Sequence, residues 1–486
     1  MLIATVLLTS VWGAGGALQG WVVAYAISQL IYGFGVGGEY PMTATLAMEG
    51  ASSATADKGD RLHRGRRTVG AFLMQGWGQV INQAVLIVLL IIFNSGGSGP
   101  YSHAVGQLTY RVSFAFIAIC ILWLLYYRIY RLRGANRAVE RAKKRSNVSG
   151  YDIKSLKLAF TFYWHRLIAT AIGWFCNDFF FYGNKIFAQS FIAIIAPQGA
   201  SIMPNYLWNL LNTGVSLVGY YFAFLLVDDK RYGRRKMQAV GFSMDFILFI
   251  IAAFAFGPLT KPGPGVKGLQ FLYYFSSFWA QFGPNCVTFL VAAEVYPANI
   301  RGSAHGMSAA IGKLGALAPT ILFNYIPARS RFLVTCWFAL LGAIVTIVFL
   351  PDVTGLDLRA RLEQERRWRY CMDGRPEEYH GIAVHRRHLS NFEVYVLRQH
   401  LQYDAELDKS QKIAEMRQTY VQELQEAQVT EKGVGRLSEQ DSDLPPAIHR
   451  IFEDERSSST DNLIPSDQKE VPHGRLGRTR PGGAVH

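Results

Sequence analysis

The feature that most constrains this chain is a series of apolar runs, each near one bilayer crossing in length, recurring as far as about Pro351. Lipid offers the backbone no hydrogen-bond partners. A chain with this pattern therefore closes its peptide groups within helices, and the fold class it implies is an all-α, polytopic helix bundle. The spacing predicts about ten spans, near 1–17, 20–46, 68–93, 110–131, 167–195, 205–227, 237–257, 268–292, 303–325 and 331–350.

The charge distribution fits that reading. A net charge of +14 would point to nucleic acid in a soluble chain. Here the basic residues gather in connecting segments: KGDRLHRGRR, YRLRGANRAVERAKKR and DDKRYGRRK, with RARLEQERRWR opening the tail. The opposite connections, such as NSGGSGPYSHAVGQ, are poor in charge. The positive-inside rule places the basic side and both termini in the cytoplasm, with the plasma membrane the expected location. The expected partners are the lipid bilayer, protons and a small anion, and no nucleic acid. Five cysteines show neither metal nor disulfide spacing. There is no nucleophile–base set, nucleotide loop or metal-ligand cluster, so neither an enzyme nor a cofactor is expected.

The basic stretch 133–166 divides the apolar part unevenly. Residues 1–132 hold four expected spans and 167–350 hold six. Related halves would be expected to divide evenly, so the first half reads as two spans short, as in a truncated or shortened chain. Residues 351–486 read as a cytoplasmic tail. Within it 404–428 suggest a solvated helix, the composition beyond about Gly433 suggests disorder, and SSSTD at 457–461 is either a modification region or a plain solvated tail.

Chemistry concentrates in IGWFCNDFFFYGNKIF, Ile172 to Phe187. Trp174, Asp178 and Tyr182 are four apart and share one helix face. A carboxylate in the bilayer costs roughly 2.5–3.5 kcal/mol, so Asp178 needs a cavity or a partner. A structural Asp held by a neighbouring helix is the plain alternative. Glu39 in GFGVGGEYPMTA lies among four glycines, which allow close helix approach. It is a candidate proton carrier, or a structural Glu. Gln75 in AFLMQGWGQ must find a partner in lipid. Lys185, two turns beyond Asp178, either recruits anions or snorkels to the surface.

Taken in order, GxGxGGEYP, an MQGxG span, WxxxDxxxY, GPNxxTF and EVYPxxxRGxAHGxSAAxGKxGA resemble the phosphate:proton symporter family of the major facilitator superfamily, over about residues 1–360. The resemblance implies twelve helices in two six-helix halves that alternate access to a central site. It implies substrate-binding roles for Tyr40, Gln75, Trp174, Asp178, Tyr182, Asn285 and Lys313, and proton-coupling roles for Glu39 and Asp178. Several of these side chains can donate to phosphate, and Lys313 can neutralise it or, in its absence, pair with Asp178. The loop DDKRYGRRK resembles the superfamily gate motif with one residue extra, which implies gate roles for Asp229, Arg234 and Arg235; setting topology is the plain alternative.

Two departures matter. The family usually has Asp at Glu39, and its first two helices have no counterpart here. The expected function is proton-coupled uptake of inorganic phosphate. A related carrier group, for glycerophosphodiesters such as glycerophosphoinositol, often has Glu-Tyr-Pro. It is the alternative cargo class, with small organic anions. An alternative of another kind is a non-transporting nutrient sensor or interaction protein that works through the tail.

Overall fold

A single break fixes where the central helix begins. Tyr163 separates α5 (Ile153–Phe162) from α6 (Trp164–Ile186), and its backbone caps α5 by donating to the Ala159 carbonyl. The computed structural model describes residues 1–11, 17–50, 63–94, 100–130, 152–186, 188, 202–229, 231–354, 365, 367–374 and 389–397, with backbone alone at 45–50, 186 and 298. These lie in one compact unit, Met1–Asp408. Most of the basic connector, the 404–428 stretch and SSSTD lie outside the described residues.

The helices before the connector are α1 (Leu2–Ser10), α2 (Leu18–Gly50), α3 (Arg64–Phe93) and α4 (His103–Tyr130). Those after α6 are α7 (Ile202–Leu226), α8 (Gly233–Phe254), the short α9 (Phe256–Leu259), α10 (Pro264–Ala280), α11 (Cys286–Glu294), α12 (Ala298–Leu322) and α13 (Ala328–Phe349). A five-residue helix, α14 (Asn391–Tyr395), follows in the tail. Six described helices are long and apolar enough to cross a membrane. Leu18, Leu30 and Phe34 on α2 and Trp123 on α4 turn outward, as lipid-facing side chains do. The chain is an integral membrane protein.

Two expected spans differ from the observed helices. Within the span expected at 1–17, the described helix is Leu2–Ser10, about 13.5 Å long, and residues 12–16 lie outside the described residues. The span expected at 268–292 is interrupted: α10 passes through a π-helical turn, Gln281–Asn285, before α11. Pro284 inside that turn lacks an N–H and crowds the preceding carbonyls. The wider turn relieves the conflict and sets Asn285 at its end.

Packing follows small residues and interdigitated rings, because lipid supplies no hydrophobic drive between helices. α12 packs along α6, α8 along α13 and α7 along α3. One core cluster joins Trp174, Tyr220, Phe289 and Tyr296; a second joins Phe180, Phe242, Phe249, Tyr273 and Phe332. The glycines of GFGVGG do not act as expected. A Cβ built on Gly33, Gly37 or Gly38 meets nothing within 4 Å, and Gly35 faces Met1. The tight contact lies elsewhere: a Cβ on Gly312 of α12 would stand 2.6 Å from Trp174 Cδ1 of α6.

Candidate functional site

That close approach of α12 to α6 puts Lys313 beside Asp178. Lys313 Nζ donates to Asp178 Oδ2 at 2.9 Å and to the Tyr182 hydroxyl at 3.0 Å. It also lies over the rings of Tyr182 and Tyr40, 4.5 and 5.1 Å from their centroids. The Asp178 side chain is buried, whereas that of Lys313 is 40% exposed. Part of the Lys313 side chain therefore stays open beside the buried carboxylate.

The other expected binding residues join this centre through two amides. Asn177 Nδ2 donates to Asp178 Oδ1 at 3.1 Å and reaches Asn285 Oδ1 at 3.3 Å. Asn285 Nδ2 lies within reach of Gln75 Oε1 (3.1 Å), the Tyr220 hydroxyl (2.9 Å) and Gln281 Oε1 (2.6 Å). Its two hydrogens can satisfy two of the three at a time. Tyr220 donates to Gln75 Oε1 at 2.8 Å. Trp174 meets Tyr40 edge-on at 5.9 Å and His305 at 5.3 Å. All seven side chains expected to bind substrate thus belong to one connected cluster. It combines an ammonium, a carboxylate, phenols and amides, a set able to hold and neutralise a compact oxyanion.

A second cluster lies at the end of the bundle that carries the basic loops. Arg234 Nε donates to Glu294 Oε2 at 2.7 Å and Nη2 to Asp228 Oδ1 at 2.9 Å; Arg64 Nε reaches Glu294 Oε1 at 3.2 Å. Asp228 also accepts from the backbone N–H groups of Gly65 and Arg66, capping the first turn of α3. The network therefore ties α3, from before the connector, to α8, α11 and the α7–α8 turn after it. Gate expectations that named Asp229 and Arg235 differ from this. Asp229 Oδ1 accepts from the Arg231 backbone within its own turn, and neither residue joins the described network. Asp228, just past the end of α7, supplies the carboxylate that faces α3.

Comparison with known proteins agrees with this architecture. Residues 132–363 match the family described as sugar (and other) transporter. Inorganic phosphate transporter 1-6 of Oryza sativa subsp. japonica is 29% identical over 341 residues, 62% of this chain and 62% of that one. Probable inorganic phosphate transporter 1-8 of Arabidopsis thaliana is 25% identical over 394 residues, 69% of this chain and 72% of that one. The solved structure of the proton:xylose symporter XylE bound to 6-bromo-6-deoxy-D-glucose matches with a TM-score of 0.54 at 20% identity, covering 76% of this chain and 82% of that one. The chain shares the fold of that major facilitator superfamily symporter. It spans 62% of the length of the rice relative. The relatives are named as transporters, not enzymes.

Within this bundle, Glu39 stands apart from the centre. It precedes Tyr40, so the two side chains diverge by about 100° around α2. Tyr40 faces Lys313, while Glu39 meets Arg128 of α4 in a forked pair of 2.6 and 2.8 Å. The partner of the expected proton carrier is thus an arginine at the far end of another helix. Tyr220 and Asn177 were missed by sequence reasoning. Tyr220 sits in an aromatic run, YYF, that reads as plain apolar span. The signal for Asn177 was its place beside Asp178.

Proposed function

We propose that this protein is a secondary active transporter that takes up inorganic phosphate together with protons by alternating access. The observation that carries this reading is Lys313, held by Asp178 and Tyr182 yet still partly open. Without cargo, the ion pair spares both charges the cost of standing unpaired in a low dielectric. Protonation of Asp178 breaks the pair. Lys313 then turns to the phosphate, and Tyr40, Tyr182, Gln75, Asn285 and the Trp174 indole donate to its oxygens. Charge is conserved at the centre: one proton neutralises the carboxylate as one anion neutralises the ammonium. Loss of the proton restores the pair and expels the cargo.

The Arg64–Glu294–Arg234–Asp228 network supports a closed cytoplasmic side, with release following its opening. Glu39, clasped by Arg128, couples less directly: its protonation would free α4 from α2 rather than discharge the centre. The names of the plant relatives favour phosphate as cargo. Glu at position 39, as in glycerophosphodiester carriers, favours the second reading. Both are tested by uptake of labelled phosphate into vesicles holding the purified chain, with an acidic outside. Phosphate accumulation that an uncoupler abolishes supports the proposal. Accumulation of glycerophosphoinositol but not phosphate replaces it with the second reading, and accumulation of neither ends it.

A further inference from the structure

Deep between α6, α7 and α10 lies a second polar pocket that the proposed transport scheme does not use. Asn184, Lys185, Asn212, Ser216, Ser277 and Gln281 line it together with four apolar or aromatic neighbours. Lys185 is two turns, about 10.5 Å, along α6 from Asp178, toward the end away from the Arg234 network. Among the described residues no carboxylate meets its ammonium; its contact is the Phe181 ring, 5.8 Å from the centroid. Two neighbours are also unsatisfied. Asn212 and Ser216 are 3% and 1% exposed, and Asn212 Oδ1 and Ser216 Oγ have no hydrogen-bond partner.

Each unpaired buried polar atom costs about 1–3 kcal/mol. Two such atoms beside a lysine ammonium that lines the same space mark a place prepared for a ligand. The amide ends of Asn212 can exchange, so it can present N–H groups. An ammonium with hydroxyl and amide donors excludes a cation and suits an oxyanion.

We propose that this pocket is a second oxyanion site, an outer station from which a phosphate-sized anion passes to Lys313. The identity of the anion rests on the phosphate reading above; the site itself rests on the pocket. A chain of polar side chains joins the two. Gln281 lines the pocket, and its Oε1 accepts from Asn285 Nδ2, which reaches Gln75 and Tyr220 in the central cluster. As observed, the pocket leaves about 10 Å3, the room of one water. Admitting an anion therefore requires Lys185 and Asn212 to change rotamer.

Equilibrium binding of labelled inorganic phosphate to the purified full chain tests this. The wild type should show two components, Lys313→Gln should leave the weaker one, and adding Lys185→Gln should remove it. In vesicles Lys185→Gln alone should raise the KM for phosphate about 3- to 10-fold with the maximal rate kept, and Lys185→Arg should restore it. Ser216→Ala, a milder change, should weaken the outer component by about 2- to 10-fold and guards against misfolding of the lysine variants. A single component lost entirely in Lys313→Gln overturns the outer site and leaves the transport reading standing; it makes the pocket a water site only. Binding untouched by Lys313→Gln but lost in Lys185→Gln keeps the outer site and overturns the central one. No phosphate binding by any variant overturns both.

Discussion

Lys313 and Asp178 are 135 positions apart in the chain, yet their side chains meet at 2.9 Å. The pair is asymmetric, with a buried carboxylate and a partly open ammonium. The lysine is therefore the end of the pair that cargo can meet, while the carboxylate stays shielded. Removing either charge should cost about 2–4 kcal/mol of transition through the bound state, a fall in phosphate uptake of about 30- to 700-fold. Asp178→Asn and Lys313→Met should each also lower the melting midpoint of the purified protein. The double variant should recover the midpoint but not the uptake, because an unpaired charge is gone while the cargo's counter-charge is not restored. Recovery of uptake in the double variant would show the pair to be structural.

Tyr220→Phe should separate positioning from binding. The hydroxyl lies between Gln75 and Asn285, so its loss frees Gln75 Oε1 and lets the Asn285 amide rotate. One buried hydrogen bond is worth about 0.5–1.5 kcal/mol. The expected result is a KM raised about 2- to 12-fold with folding intact, read from uptake kinetics and a thermal melt.

How far the chain could be read depended on whether a residue's role was local. Trp174, Asp178 and Tyr182 share a face because helical spacing dictates it, and Lys313 was legible as a charge placed mid-span. Tyr220 and the Arg128 partner of Glu39 were not, because each role depends on which helices pack together, and a tyrosine or arginine near an apolar run carries no mark of that. The glycines show the same limit. GFGVGG has the spacing of a close helix contact, but three of its four glycines, Gly33, Gly37 and Gly38, face open space, while Gly312 and Gly315, inside a longer polar motif, make one. Asp228 rather than its neighbour Asp229 reaches α3, a choice set by where α7 ends against α3, which the sequence of the loop does not display.

That one-residue difference is directly testable. Asp228 accepts from two backbone N–H groups of α3 and from Arg234, whereas Asp229 serves its own turn. Asp228→Asn should loosen the tie between the two parts of the bundle. The expected readout is faster labelling of cysteines placed along α3 and α8 by a membrane-impermeant thiol reagent applied at the cytoplasmic face. Asp229→Asn should label like the wild type. Equal labelling in the two variants would remove Asp228 from the gate.

Gly312 offers a steric test of the same centre. A side chain there would stand 2.6 Å from Trp174 Cδ1, and relieving that overlap means moving a bulky ring or parting α12 from α6. Overpacking of this kind costs about 1–3 kcal/mol. Gly312→Ala should lower the melting midpoint and carry Lys313 away from Asp178, reducing uptake. Gly306→Ala, on the same helix with nothing within 4 Å of its Cβ, should change neither.

The tail makes a prediction about acid. Glu393 of α14 is fully buried, where Arg166 Nη2 donates to it at 2.7 Å, His165 lies 3.2 Å away and the Ser390 backbone N–H donates at 2.7 Å. Phe392 packs between Trp164 and Phe349, with ring centroids 5.3 and 5.0 Å away. Burial alone would raise the carboxyl pKa of Glu393, but the Arg166 charge, the His165 contact and the Ser390 N–H outweigh it and hold it well below the usual carboxylate range of 4.5. A depressed folded-state pKa contributes stability that is fully present above about 4.5 and is lost as pH falls toward the folded value. The docked segment 389–397 should therefore keep its hydrogen-exchange protection from neutral pH down to about pH 4.5 and lose it only in stronger acid. Glu393→Gln should remove that acid dependence and lower protection at neutral pH as well, by about 3–5 kcal/mol in opening free energy, because Arg166 is left buried without its counter-charge. Protection in Glu393→Gln equal to the wild type at pH 7 would mean that the aromatic contacts alone hold the tail.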